Sequence, residues 1–145
     1  MRATGYNHVS VHAEDMEESA RFYVENFGLR ELPAPDFGYP VRWFQLGDRQ
    51  LHLFQRPTGP AQYHHFAIDV DDYEAVYRKL RDRVTNGPRR LPDGSVQMYV
   101  HDPAGNLIEI DWPDASTLDP ELFGELESIP GPPEATLYTR STGRR

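Results

Sequence analysis

The sequence predicts an α+β protein built from two tandem copies of one small module, followed by a C-terminal extension. Three observations predict this class: strand-like alternation of apolar and polar residues, amphipathic helical segments with their own capping residues, and an internal repeat that superimposes one half of the chain on the other. The predicted modules span residues 5–57 and 61–113, and the extension spans residues 114–145.

The first module begins with a strand and a helix and closes with a hairpin. Residues 6–12 alternate between apolar and polar side chains, which predicts a half-buried strand. Asp15 is in the position of a helix N-cap. Gly28 is in the position of the residue that follows the end of the same helix. Residues 41–46 and 50–55 then read as two strands joined by a tight turn.

The second module repeats this order. Residues 65–70 alternate as a strand, and Asp71 is the expected N-cap of a helix that stops near Gly87. Residues 95–101 and 106–112 are expected to form the closing strands.

A shift of 57 positions aligns the two modules almost without gaps. It places His65 on His8 and Glu109 on His52. Three further charged pairs match at the same shift: Asp71 with Glu14, Glu74 with Glu17, and Arg78 with Arg21. Polar matches at a single shift indicate a duplication rather than a shared hydrophobic period.

The extension differs in character from the modules. Asp119 followed by Pro120 is typical of a helix start and predicts a short helix over residues 121–129. The remaining residues show no core periodicity, and we expect them to lie over the surface or against a partner subunit.

Composition excludes several classes of function. The formal net charge is −8 without a basic run, which argues against a nucleic-acid partner. The apolar runs are too short and too interrupted for a membrane span, and we expect a cytoplasmic protein. The chain has no cysteine, so any bound metal must be held by nitrogen and oxygen atoms.

Strand alternation selects the candidate metal ligands. His8, His65 and Glu109 each fall on the strand face opposite the apolar residues that are expected to contact a helix. His52 shares that face, between two leucines. If the modules pack about a pseudo-twofold axis, these four side chains converge, and imidazoles with a carboxylate suit Zn, Ni, Mn, Co or Fe(II).

Three segments resemble the vicinal oxygen chelate superfamily, which includes glyoxalase I, extradiol dioxygenases, methylmalonyl-CoA epimerase and bleomycin-binding proteins. They are NHV at residues 7–9, HFAIDVDD at 65–72 and YVHDPAGNLIE at 99–109, and the resemblance covers roughly residues 5–113. It implies paired βαβββ modules that form one cup-shaped mixed sheet. It also implies one divalent metal ion, a small-molecule substrate bound through vicinal oxygens, and a homodimer.

The resemblance also implies roles for individual residues. His8, His65 and Glu109 match the metal ligands of the family. His52 stands where many glyoxalase-type members have a glutamate or glutamine, so it is a candidate fourth ligand, a candidate catalytic base, or a substrate contact. Tyr99 lies ten residues before Glu109, where extradiol dioxygenases have an active-site tyrosine; the alternative is a core aromatic.

These residues support three functions of different kinds. The first is a glyoxalase- or epimerase-like lyase or isomerase in which His52 is the base. The second is an Fe(II) extradiol-type dioxygenase, whose chemistry uses two histidines and one carboxylate. The third is a non-catalytic binding protein of the bleomycin-resistance type, and thiol transfer to fosfomycin is a narrower fourth option.

The wall of the substrate pocket is expected to come from aromatic residues near the first hairpin. Tyr39, Trp43 and Phe44 are candidates, with the core as the alternative location. Arg42 and Arg49 are candidates for holding an anionic group, with solvated surface charge as the alternative.

Overall fold

The computed structural model describes Arg2 and residues 7–138, and it confirms the α+β class. The elements, in chain order, are β1 His8–His12, α1 Met16–Phe27, β2 Arg30–Leu32, β3 Val41–Leu46, β4 Arg49–Phe54, β5 His65–Asp69, α2 Tyr73–Leu80, β6 Val84–Arg90, β7 Val96–His101, β8 Leu107–Trp112, α3 Pro120–Phe123 and β9 Glu127–Ser128. The strands form a four-stranded sheet of order β1-β4-β3-β2 and a five-stranded sheet of order β5-β8-β7-β6-β9.

The chain divides into two compact units, and neither is a single continuous segment. The first unit contains Met1–Phe66 together with His101–Ile108. The second contains Ala67–Val100 together with Glu109–Arg145. The module boundaries at residues 57 and 113 therefore stay a prediction from the repeat.

In the first unit, helix α1 has both of its predicted caps. The Asp15 carboxylate accepts a hydrogen bond of 2.9 Å from the backbone N–H of Glu18, which satisfies one of the free amides at the helix start. Gly28 ends the helix in the left-handed region, with φ of 65°, a conformation that costs glycine least.

The sheet of the first unit has two chemically different faces. Antiparallel pairing of β3 with β4 places Phe44 opposite Leu51 and Trp43 opposite His52. Phe44 and Leu51 are fully buried, and α1 packs against these two strands. Because side chains alternate along a strand, Trp43 and His52 point to the other face.

A buried turn at residues 102–106 completes the first unit. The Asp102 carboxylate accepts hydrogen bonds from the backbone N–H groups of Ala104, at 3.0 Å, and Asn106, at 2.8 Å. It also accepts from the Asn106 side-chain amide, at 2.7 Å, and from the Tyr23 hydroxyl, at 2.8 Å. The same Asn106 amide donates to the carbonyl of His12 at 2.6 Å, so the turn is tied to both α1 and the end of β1.

In the second unit, helix α2 differs from the sequence expectation at both ends. Its N-cap is Asp72 rather than Asp71, and the Asp72 carboxylate accepts from the N–H of Ala75 at 2.9 Å. The helix ends at Leu80 rather than near Gly87, because the following residues turn and enter β6.

The reason for the shorter helix is strand pairing. β6 pairs antiparallel with β7, so the backbone N–H and C=O groups of β6 find hydrogen-bond partners on β7. The apolar spacing within one segment of the sequence does not reveal this pairing. Gly87 has φ of 85°, and a Cβ there would lie 2.7 Å from the carbonyl oxygen of Gln97 on β7. Glycine is therefore required by the close approach of the two strands, not by a helix end.

The extension forms less helix than expected. Its predicted start is confirmed, because the Asp119 carboxylate accepts from the N–H of Glu121 and Pro120 occupies the first turn. Helix α3 ends after four residues at Gly124, which has a positive φ of 63°. The chain then forms β9, which pairs in parallel with β6 at the edge of the five-stranded sheet.

Across the described part of the chain, every helix falls short of the length and apolar character that crossing a lipid bilayer requires.

Removing the Tyr23 hydroxyl tests the buried turn. Burial, and then the neighbouring Asp102 carboxylate, raise the pKa of Tyr23, so the hydroxyl remains a donor. We expect Tyr23→Phe to lower the free energy of unfolding by about 1.5 to 3 kcal/mol, as measured by urea denaturation. Tyr63→Phe is the matched control, because Tyr63 is 86% exposed, and equal losses in the two variants would contradict the role of the turn.

Candidate functional site

The candidate site of the first unit lies on the sheet face opposite the buried leucines. Pairing of β1 with β4, and of β4 with β3, places polar and aromatic side chains on this face, among them His8, Ser10, Trp43, Gln50 and His52. The face therefore combines two imidazoles with hydrogen-bonding and aromatic groups, as strand alternation predicted for His8 and His52.

His52 lies in the middle of a column of three rings. Its ring centroid is 4.1 Å from that of Trp43 with the planes 5° apart, and 4.1 Å from that of His8 with the planes 19° apart. The stack leaves His52 only 9% exposed. Burial, and then the proximity of His8, lower the pKa of His52, so its neutral form is favoured.

The hydrogen bond of His52 defines which nitrogen carries the proton. Its Nε2 atom lies 2.8 Å from Oε1 of Gln50, an amide oxygen that can only accept. With the Gln50 amide in this orientation, the proton is on Nε2, and Nδ1 holds the lone pair of the neutral ring.

His8 and His65 share the opposite arrangement. Nδ1 of His8 lies 2.9 Å from the side-chain oxygen Oδ1 of Asn7, and Nδ1 of His65 lies 3.0 Å from the backbone carbonyl oxygen of Tyr63. In both residues Nδ1 donates to an oxygen, which leaves Nε2 as the nitrogen that can coordinate a metal. A ligating histidine commonly donates its other ring N–H to an oxygen in this way.

The partner of His65 has an unusual backbone. Tyr63 has φ of 62°, a left-handed conformation that an L side chain rarely adopts, and 86% of the residue is exposed. Such a conformation costs on the order of 1 to 3 kcal/mol. The backbone carbonyl oxygen of Tyr63 itself accepts the hydrogen bond from Nδ1 of His65.

In the second unit, Glu109 and Tyr99 form a hydrogen-bonded pair. The Tyr99 hydroxyl donates to Oε2 of Glu109 at 2.6 Å, and Glu109 is 5% exposed. Burial, and then this hydrogen bond, raise the pKa of Tyr99, so the phenol stays protonated. Tyr99 is therefore not a purely apolar core residue, because its hydroxyl contacts the proposed carboxylate ligand.

The sequence reasoning missed a second buried carboxyl group beside Glu109. Asp111 is 4% exposed, and its Oδ1 atom has no hydrogen-bond partner among the described residues. Burial, then hydrogen bonding with Glu109 and its charge, then the charge of Asp69, raise the pKa of Asp111 to about 8. The available signal was position, because residues two apart on a strand share a face.

The structure brings some of the predicted site residues together. His8 stacks on His52 in the first unit, and Tyr99 binds Glu109 in the second. His65 belongs to the first unit. Within residues 2 and 7–138, no three histidine, aspartate or glutamate side chains are arranged as a metal-binding cluster.

A cavity of about 830 Å³ opens on the histidine-bearing face of the first unit. Tyr39 and Trp43 line it, as expected for the pocket wall. Phe44 does not, because alternation along β3 turns it into the core, where it is fully buried. Arg56 and Thr58 also line the cavity and were not identified from the sequence.

The two arginines considered as anion ligands form ion pairs instead. Arg42 contacts Glu31 at 2.6 Å and Glu17 at 3.1 Å. Arg49 contacts Asp48 at 3.0 Å. Neither arginine lines the cavity, which favours the surface role that the sequence left open.

Comparisons with known proteins agree on one superfamily. The profile of the Glyoxalase/Bleomycin resistance protein/Dioxygenase superfamily matches residues 5–110. The mitochondrial methylmalonyl-CoA epimerase of Homo sapiens is 25% identical over 128 residues, 72% of each chain. Glyoxylase I 4 of Arabidopsis thaliana is 26% identical over 140 residues, 87% of this chain and 80% of its own. A solved structure from Bacillus anthracis, described as a glyoxalase family protein, is 30% identical with a TM-score of 0.65, over 77% of this chain and 98% of its own.

Substituting Asp111 tests the pKa of the buried carboxyl group. Because the folded state holds the proton more tightly than the unfolded state, stability should fall as the pH rises from about 5 to 8, by up to about 1.4 kcal/mol per pH unit. Asp111→Asn should remove this slope in chelator-treated protein, as measured by urea denaturation at each pH. Asp71→Asn, at an exposed position, is the control and should retain the pH dependence of the parent protein. If the free energy of unfolding depended on pH equally in the parent protein and in Asp111→Asn, the raised pKa of Asp111 would be contradicted.

Proposed function

The chain belongs to the Glyoxalase/Bleomycin resistance protein/Dioxygenase superfamily, and we propose that it is a divalent-metal-dependent enzyme acting on a small molecule with two adjacent oxygens. The proposed reaction is lyase or isomerase chemistry of the glyoxalase and epimerase kind. Two relatives named as a methylmalonyl-CoA epimerase and a glyoxylase I support this choice. The proposed assembly is a homodimer.

The proposed metal ligands are His8, His65 and Glu109. One observation carries this proposal: in both histidines Nδ1 is hydrogen-bonded to a nearby oxygen, so Nε2 is the nitrogen able to coordinate a metal. Nitrogen and carboxylate donors suit Zn, Ni, Mn, Co and Fe(II), and the chain has no thiolate to compete.

The hydrogen bond between Tyr99 and Glu109 supports the same proposal. A carboxylate ligand needs a partner that fixes its orientation, and the Tyr99 hydroxyl supplies one at 2.6 Å. Tyr99 is therefore proposed as a positioning residue for Glu109. When bound, the metal would stabilise negative charge on two neighbouring substrate oxygens.

His52 is the proposed base. Its neutral form is favoured, and the Gln50 contact leaves the lone pair on Nδ1, which can accept a proton from a carbon next to a carbonyl group. The flanking rings of Trp43 and His8 restrict its orientation. If His52 were instead a fourth metal ligand, its replacement by alanine would weaken the retention of metal.

An Fe(II) extradiol-type dioxygenase is the second candidate function. The proposed ligand set is two histidines and one carboxylate, and the hydroxyl of Tyr99 lies next to that carboxylate. The identity of the bound metal separates this candidate from the lyase or isomerase.

Metal content tests the ligand assignment. Protein purified without added metal should contain about one divalent metal per chain by elemental mass spectrometry. His8→Ala, His65→Ala and Glu109→Gln should each weaken binding by more than about tenfold, because they remove a proposed ligand. His64→Ala is the matched control, since His64 is exposed and adjacent to His65.

The outcomes separate the candidates. Zinc, nickel, cobalt or manganese favours the lyase or isomerase, and weaker retention in His52→Ala would make His52 a ligand. Iron with full retention in His52→Ala would favour the dioxygenase. No stoichiometric metal in the parent protein would overturn the enzyme proposal and leave a binding protein.

Proton exchange tests the role of His52 as the base. In deuterated water, a panel of α-hydroxycarbonyl compounds and branched acyl thioesters should exchange the hydrogen next to the carbonyl group. His52→Ala should slow this exchange by about 10² to 10⁴-fold while retaining the metal. His101→Ala, at an exposed position, should leave the rate unchanged, and exchange that is insensitive to His52 would contradict the assignment.

A further inference from the structure

The lining of the first-unit cavity has a charge opposite to that of the chain. The sequence has a formal net charge of −8. Of the described residues that line the cavity, Arg56 is a permanent cation and none is a carboxylate. A local positive site in an acidic protein favours an anionic ligand, since the pocket potential is set by the nearest charges.

Arg56 is held in a geometry that suits a carboxylate. Its guanidinium carbon lies over the ring of Tyr39, 4.7 Å from the ring centroid, so the cation is in contact with an aromatic face. Within the described ranges it forms no ion pair with a carboxylate of the chain. A guanidinium that contacts a ring and has no carboxylate partner can form two parallel hydrogen bonds to an oxyanion through its N–H groups.

An aromatic cluster lies beside this arginine. The ring centroid of Phe37 is 6.1 Å from that of Tyr39 and 6.2 Å from that of Trp43. All three rings line the cavity, and Phe37 is 51% exposed. Exposed aromatic surface at a concave site is typical of ligand pockets, because a flat apolar ligand gains both burial and ring stacking there.

We propose that this cavity binds a planar aromatic carboxylate. The aromatic ring packs against Phe37 and Trp43, and the carboxylate binds the guanidinium of Arg56. His8 and His52 line the same cavity, so further oxygens on the ligand can reach the proposed metal ligand and base. That this ligand is the substrate rests on the proposed function, whereas its binding to the cavity does not require a metal.

Direct binding to chelator-treated protein tests the ligand class without the metal. The probes are 2-naphthoate, its neutral analogue 2-naphthamide, and cyclohexanecarboxylate, which has the charge without the aromatic ring. By calorimetry, 2-naphthoate should bind at least about tenfold more tightly than either of the others, because only it satisfies both Arg56 and the aromatic wall. Equal affinity for all three probes, or no binding of 2-naphthoate, would overturn the proposal.

Two variants localise the binding. Arg56→Gln should weaken 2-naphthoate by about tenfold or more and leave 2-naphthamide unchanged, because it removes the charge contact alone. Arg49→Gln is the matched control, as an exposed arginine outside the cavity lining. Phe37→Ala should weaken both naphthalene probes, and an unchanged affinity for 2-naphthoate in both Arg56→Gln and Phe37→Ala would place its binding elsewhere.

The results distinguish failure of this proposal from failure of the proposed function. Stoichiometric metal with no preference for 2-naphthoate would overturn the ligand class and leave the metal site intact. Selective 2-naphthoate binding in protein that retains no metal would support the ligand class and assign the cavity to a binding protein. Circular dichroism of each variant confirms that a loss of affinity is not a loss of fold.

Discussion

The first unit depends on one buried carboxylate, that of Asp102, which is 3% exposed. A buried charge is tolerated only when several donors satisfy it, and here the donors come from its own turn and from Tyr23 on α1. Asn106 extends the network to the carbonyl of His12 at the end of β1. The strand that carries His8 is therefore anchored at its far end by residues encoded about 90 positions later.

The residues of the candidate site share one sheet face because successive side chains of a strand point to opposite faces. One sheet face must be apolar because α1 covers it, and the other face is then available for His8, Trp43 and His52. Each proposed metal-binding group has a local hydrogen-bond partner: Asn7 for His8, the Tyr63 carbonyl for His65, and Tyr99 for Glu109. These partners orient the donor atoms before any ligand arrives, which reduces the entropy lost on binding.

The caps of α1 are predicted correctly from the sequence, the N-cap of α2 is predicted one residue too early, and features that depend on distant chain segments are not predicted. The Asp15 cap and the Gly28 helix end are set by a few neighbouring residues, and both were predicted. The end of α2 was misplaced because β6 forms only through pairing with β7. Asp111 was overlooked because its properties arise from burial beside Glu109, and burial depends on tertiary packing. The ligand roles of His8, His65 and Glu109 remain predictions.

The turn at residues 102–106 also bears on the duplication that the sequence predicts. In the repeat alignment, Tyr23 corresponds to Leu80 and Asp102 corresponds to Gln45, so the tyrosine–aspartate pair has no counterpart at the aligned positions. The N-terminal half is therefore held in part by a turn encoded within the C-terminal half. If the two halves arose by duplication, they are therefore not interchangeable, and a gene fragment encoding the N-terminal half alone would leave the Tyr23 hydroxyl buried without its acceptor.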